Sequence, residues 1–376
     1  MSAWPPLEPL SVGEFAPTFA APTRTNPLFH FNTLAGRYVL LAFLPRDPGR
    51  RVAALQALAA IRPRFDDRDS TAFFVVREAV GAAIPPDEIP GVRWFFDADG
   101  AVARLYGALD DQGGEQPFWL LLDPMLRVLG RAPLETPQTL FAMIAALPPA
   151  GAQSEPSLTA PVLIAPRVFD NSLCQRLIAH YDAKGGELSG VMRDVDGKTV
   201  GVLDPMKSRR DVRLEDQPEL RREILGRLER ALIPMITRAF QFRATRLERY
   251  VVACYDAAEG GYFRPHRDNE AFGTAHRRFA VSINLNAEEF DGGDLRFPEF
   301  GSRTYRPPTG GAVVFCCSLL HEATPVTRGR RYAFLPFLYD EDGHRIRQEN
   351  LSRFASHNDA EPEPDRQAQV PTGGTD

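Results

Sequence analysis

Lysine is almost missing from this chain. It stands at 184, 198 and 207 and nowhere else among 376 residues, so arginine carries nearly all of the positive charge. The formal balance is −5 at pH 7, which gives no basis for the broad basic surface that sequence-independent nucleic-acid binding requires. Long apolar runs are missing too. No stretch approaches the roughly 20 apolar residues of a membrane helix. The opening MSAWPPLEPLSVGEF lacks the basic start and apolar run of a secretory leader. Cysteine is scarce, at 174, 254, 316 and 317, with neither CxxC nor paired zinc spacing. A cytoplasmic, reducing setting is therefore expected, with neither membrane nor nucleic acid as a partner. Adjacent Cys316 and Cys317 read as two thiols on a strand rather than a vicinal disulfide.

What is present suffices for two cores, with 44% hydrophobic residues over this length. The seam is PPAGAQSEPSLTAP, 148–161, where proline and small polar residues replace apolar periodicity. Residues 1–150 and 161–355 are the expected domains. The acidic, proline-rich 356–376 is expected to be a disordered tail. Before the seam, RYVLLAFLP (37–45), STAFFVV (70–76) and PFWLLLDP (117–124) read as buried strands. Helices are expected at 51–65 and at 136–147, the latter with Thr136 as N-cap and Pro137 in its first turn. Strand–helix–strand alternation argues for a parallel or mixed sheet covered by helices.

This half resembles the peroxiredoxin branch of the thioredoxin-like fold, from LSVGEFAPTF through FFDADGAVARLYG to LLLDPMLRVLG. The resemblance would place a reactive cysteine after the first core strand, in PxxxTxxC. Here that window is PRDPGRRV, with Gly49 at the threonine and Val52 at the cysteine. Peroxide reduction needs a thiolate, so the domain is expected to be a scaffold, a docking module or a dimerisation surface. A homodimer is accordingly among the expected states.

After the seam the spacing His-x-Asp occurs twice, in LIAHYDAKG at His180 and Asp182 and in GYFRPHRDN at His266 and Asp268. The first copy lies on a helical pattern, with Leu173, Leu177 and Tyr181 on one face, Asp170 or Asn171 as cap and Gly185 as stop. Residues i and i+2 are about 200° apart on a helix, so that pair cannot share a metal. A second helix carries Leu220, Ile224, Leu228 and Leu232 on one stripe and is expected to end at Pro234. From about 245 short glycine-punctuated strands follow, the pattern of an antiparallel sandwich or jelly roll. In that context His266 and Asp268 share a strand face. His321, in SLLHEATPV, is the best third ligand, and two histidines with one carboxylate suit a non-haem Fe(II) oxygenase. A fixed cation for an acidic cosubstrate is offered by Arg328, Arg330 and Arg331, among which strand alternation does not choose.

In order, CYDAAEGGYFRPHRD, RRFAVSINLN, DGGDLRF, PPTGGAVVF and LLHEATPVTRGRRY make 161–340 resemble the Fe(II)- and 2-oxoglutarate-dependent dioxygenases of the prolyl 4-hydroxylase-like group. The resemblance implies an α+β two-domain chain. Its thioredoxin-like α/β domain precedes a double-stranded β-helix (jelly-roll) dioxygenase domain with flanking helices. It further implies iron on His266, Asp268 and His321, and 2-oxoglutarate on Arg331 with Tyr255 and Asn284. O₂ would be co-consumed, with ascorbate an accessory reductant. The expected activity is hydroxylation of an aliphatic carbon in a prolyl or other peptide residue, an amino acid or a small metabolite. The alternative is a non-catalytic iron and 2-oxoglutarate sensor. Without the resemblance, Ser282, Asn284 and Asn286 alternate with apolar residues as a solvent face would. The glycine-rich, then basic 185–216 is expected to be a loop closing over the site when substrate arrives, with Arg209 and Arg210 meeting substrate oxygens or acidic neighbours.

Overall fold

The computed structural model describes residues 10–152 and 159–353. The expected tail, 356–376, and part of the seam lie outside them. The chain divides into two compact units, one running to Ala160 and including Pro298–Arg303, the other holding the rest. Among the described residues no helix is long and apolar enough to cross a membrane.

In the first unit, five strands lie in the order Val92–Phe96, Ser70–Val76, Tyr38–Phe43, Phe118–Leu122, Val128–Pro133. The first three are parallel and the last two antiparallel. The central strands are continuous apolar runs because both faces are covered. The helix expected at 51–65 is Pro48–Ala59, started by Asp47, whose carboxylate accepts the Arg50 N–H at 2.7 Å. It stops early, and Pro63 falls in a separate 3₁₀ turn, Arg62–Arg64, since its ring cannot continue an α-helix. The last helix is Gln138–Ala146, and its N-cap is Pro137 rather than Thr136, with no side-chain cap. Val52, at the position of the missing thiol, is 53% exposed on its helix.

In the second unit, Asn171–Lys184 begins at Asp170, whose carboxylate accepts the Leu173 N–H at 2.9 Å, and ends at Gly185 with φ +67°. Pro234 does not end the following helix, as the sequence had suggested. Pro218–Arg227 passes through a π-helical turn, Leu228–Leu232, into Ile233–Phe240. The wider turn lets Pro234 sit in the first turn of a new α-segment, where its missing N–H costs little. Ile224, Leu228 and Leu232 face a core shared with Leu173, Leu177, Val281, Ile283 and Phe334.

That core lies under one side of a nine-stranded sheet containing Val251–Asp256, Phe279–Asn284, Ala312–Cys316 and Arg330–Phe334. A five-stranded sheet takes the order Lys207–Ser208, Tyr262–His266, His321–Ala323, Leu295–Arg296, Thr304–Tyr305. The segment RLERYVVACYD is two strands rather than one. Arg249, in the left-handed region at φ +72°, separates Arg246–Glu248 from Val251–Asp256. Nor is 185–216 an open loop. Val191–Val195 and Lys198–Val202 form a hairpin, Lys207–Ser208 edges the small sheet, and Arg210–Arg213 extends the large one.

Candidate metal and cosubstrate site

His266 and His321 come from antiparallel neighbours and sit directly opposite one another in register, beside an irregularity after Phe263. Asp268 follows two residues on, its N–H bound to the Cys317 carbonyl at 3.0 Å. The Nε2 atoms of His266 and His321 lie 3.5 and 3.3 Å from the two Asp268 oxygens. Among the described residues, these three form the group whose ligand atoms converge on one point. His180 and Asp182 do not join them, and the Asp182 carboxylate accepts the Tyr332 hydroxyl at 2.8 Å instead.

The donor set fits a divalent metal. His266 Nδ1 is 2.8 Å from the Arg264 carbonyl, and His321 Nδ1 is 3.0 Å from that of Leu319. A carbonyl only accepts, so both Nδ1 atoms carry the proton and both Nε2 lone pairs face Asp268. Burial, with His321 beside it, pushes the His266 imidazole down to about 4, which keeps it neutral and ready to ligate at neutral pH. Against the cost of its own burial, Asp268 is held well below the usual carboxylate range by His321 and His266.

Across the cavity, the large sheet presents Arg331, 2% exposed. Its guanidinium donates to Ser282 Oγ at 2.8 Å and to Asn284 Oδ1 at 3.4 Å, and lies 5.2 Å from the Tyr255 ring centre. Tyr255 and Arg331 are paired across neighbouring strands. Arg330 points away to Asp256 at 2.7 Å, with its side chain 58% exposed. Asn284 does not line the cavity; it stands behind Arg331 and donates to the Pro307 carbonyl at 2.8 Å.

Ser282, Asn284 and Asn286 are all buried. The strand Phe279–Asn284 is interior on both faces, with apolar core on one and, on the other, Arg331 held by Ser282 and Asn284. Asn286, beyond it, binds the backbone of Arg330 and Tyr332. Alternation alone reads the second interior as solvent. Arg209 is also inside, 5% exposed, paired with Asp211 at 2.7 Å and 3.3 Å from the Tyr255 hydroxyl. Against burial, Arg209, Lys207 and Arg249 hold the Asp211 carboxyl below its usual range. Arg210 does not meet the cavity. Strand alternation turns it outward to Glu259 at 3.0 Å, with 41% of its side chain exposed. Lys207, Arg249, Ser282 and Phe263 line the cavity but carry no motif to announce them. The signal for Lys207 was its rarity.

Sequence reasoning also passed over Glu248, His276 and Arg277. Glu248, 5% exposed, takes Arg277 at 2.5 Å and His276 Nε2 at 2.5 Å, and Arg277 also reaches the Asp268 carbonyl at 3.4 Å. Against burial, Arg277 and His276 hold the Glu248 carboxyl well below its ordinary 4.5. A depressed carboxyl adds stability above its unfolded pKa and loses it as the pH falls below. Glu248→Gln is therefore expected to cost about 1–3 kcal/mol in denaturant unfolding at pH 7. The gap from wild type should shrink as the pH drops through 4.5. A constant gap would mean the carboxylate charge is not the stabilising feature.

A half-buried two-histidine, one-carboxylate triad facing a buried arginine has the construction of a non-haem iron oxygenase centre. The family model for the 2OG-Fe(II) oxygenase superfamily matches residues 250–339, the segment holding the triad, Tyr255 and Arg331. A PKHD-type hydroxylase of Bordetella pertussis is 30% identical over 164 residues, 40% of this chain and 71% of its own. The chain belongs to the 2OG-Fe(II) oxygenase superfamily. It spans about half the length of another relative it matches, a PKHD-type hydroxylase of Synechococcus sp. (strain JA-2-3B'a(2-13)). That protein is 30% identical over 125 residues, 31% of this chain and 52% of its own. Among solved structures, a Pseudomonas putida prolyl-4-hydroxylase shares 21% identity over 48% of this chain and 93% of that one, with a TM-score of 0.37. The mitochondrial 2-cys peroxiredoxin of Plasmodium falciparum shares 15% identity over 36% and 93%, with a TM-score of 0.31.

Proposed function

We propose that the chain is an Fe(II)- and 2-oxoglutarate-dependent hydroxylase acting on an aliphatic carbon of a peptide or small molecule. One observation carries this reading. Two imidazoles with their Nε2 lone pairs turned inward meet a carboxylate across a cavity from Arg331, whose hydrogen-bond partners are neutral. Bound iron would supply coupled oxidation by O₂, with 2-oxoglutarate split to succinate and CO₂ and a hydroxyl group left on the substrate.

The chain's own residues have definable tasks. His266, Asp268 and His321 hold the metal, and the Arg264 and Leu319 carbonyls hold the two imidazole rings. Arg331 anchors the distal carboxylate of 2-oxoglutarate, positioned by Ser282 and Asn284, with the Tyr255 face against its guanidinium. Phe263, stacked on His266 at 3.4 Å between ring centres, and Phe315, 4.5 Å from His321, keep water from the ligands. We read the two sheets as a double-stranded β-helix and the first unit as a thioredoxin-like domain without redox chemistry. The four free thiols suit a cytoplasmic setting.

The test is incubation of the full chain with Fe(II), 2-oxoglutarate, ascorbate and cell extract under ¹⁸O₂. The expected result is succinate release together with a product carrying one added, labelled oxygen. Tight binding of iron and 2-oxoglutarate without any such product would favour the sensing alternative.

A further inference from the structure

Two cations in this cavity have neutral partners only. Arg331 is one, and the reading above assigns it to the cosubstrate. Lys207 is the other. Its ammonium donates to Ser189 Oγ and to the Gly190 carbonyl, both at 2.7 Å, and lies 4.9 Å from the Phe263 ring centre. Among the described residues no carboxylate lies within ion-pair distance of it. Arg209, next but one in the chain, also lines the cavity, and Asp211 is shared between Arg209 and Arg249 at 2.7 and 3.3 Å. Asp268 is the carboxylate among the lining residues, and it belongs to the metal.

Ser189 Oγ donates in turn to Asp211 at 2.6 Å, so that carboxylate is set against Lys207, Arg209 and Arg249 together. A desolvated excess of positive charge is unfavourable unless an anion arrives to meet it. Lysine is also the residue this chain otherwise avoids, and its placement here brings a cation to the edge of the same sheet as the triad. Lys207 pairs with Phe263, three residues before His266. We propose that the substrate carries an anionic group, a carboxylate or a phosphate, received by Lys207 with Arg209 beside it. This rests on the cavity being the iron and 2-oxoglutarate site. Arg331 and Lys207 then divide two anions between them, one from the cosubstrate and one from the substrate. Burial, followed by Arg209, holds the Lys207 ammonium well below the ordinary lysine range, with Arg249 adding to the effect and Asp211 and Asp268 opposing it. An anion beside the ammonium offsets that cost.

The experiment uses the full chain saturated with Mn(II) and 2-oxoglutarate, titrated by calorimetry with acetate and separately with inorganic phosphate. At least one anion is expected to saturate at one per chain. Binding should weaken about tenfold or more in Lys207→Met and stay within about threefold of wild type in Lys207→Arg. The affinity for 2-oxoglutarate should move less than about threefold in both variants. Acetate binding alone identifies a carboxylate substrate, and phosphate binding alone a phosphorylated one. No saturable binding of either anion, or equal binding in Lys207→Met, overturns the proposal. So does loss of 2-oxoglutarate affinity in Lys207→Met, because the lysine then serves the cosubstrate. Failure of wild type to take up Mn(II) or 2-oxoglutarate is a separate result and removes the proposed function itself.

Discussion

Replacing His266 or His321 with alanine is expected to abolish one-to-one Fe(II) binding, while His180→Ala leaves it unchanged. The two rings are cross-strand partners, and each has its Nδ1 proton tied to a carbonyl. Both therefore enter the site with orientation and tautomer already set. Removing either leaves one imidazole and Asp268, whose single carboxylate cannot complete a facial set. Loss of a partner one shell further out typically costs 10–100-fold in metal affinity, so loss of a ligand itself should exceed about 100-fold. His180 is the internal control, with the same His-x-Asp spacing on a helix and Asp182 engaged by Tyr332. Anaerobic metal titration with iron counted per chain reads the result. Equal loss in His180→Ala would show that the metal is not held where the strands bring the two histidines together.

The second large effect concerns adjacent arginines. Arg331→Met is expected to weaken 2-oxoglutarate binding by about 2–4 kcal/mol, roughly 30- to 1000-fold, because a largely desolvated carboxylate loses a charged donor. Arg330→Ala should change it by less than about 1 kcal/mol, as expected for an exposed ion pair. The contrast follows from strand register. Arg331 pairs with Tyr255 and turns into the cavity, whereas Arg330 pairs with Asp256 and turns to solvent. Calorimetry with 2-oxoglutarate on the Mn(II)-loaded variants distinguishes the two. The reverse order would place the cosubstrate on the outer face of that strand, against the burial of Ser282 and Asn284.

Both effects involve residues that the linear chain had already nominated, and the reason is local. His-x-Asp on a strand and on a helix differ in geometry within a few residues, so periodicity separates the pair that converges with His321 from the copy. The buried strands of the first unit were visible for a similar reason, since a strand packed against apolar side chains on both faces is itself largely apolar. Local rules failed where a residue's environment is made by distant chain. Pro234 was expected to end a helix, yet a π turn carries the chain past it. Ser282, Asn284 and Asn286 look like a solvent face, yet a second interior lies over them. The stretch 185–216 reads as a loop, yet it supplies edge strands to both sheets, and this puts Arg209 inside and Arg210 outside.

Residue chemistry and short-range spacing were therefore enough to nominate the candidate ligands, the absence of a thiolate from the first unit and the candidate arginines. They could not choose Arg331 over its neighbours, because that strand is apolar on both faces and only pairing with Tyr255 gives it an inside. They could not place Lys207 in the cavity or single out Glu248, because a charge becomes informative only when its partners and its solvent are known. Solvation and register are set by contacts between segments tens of residues apart, and no local pattern encodes them. Lys207, Arg209 and Arg331 were brought to one cavity by the pairing and packing of strands from the two sheets.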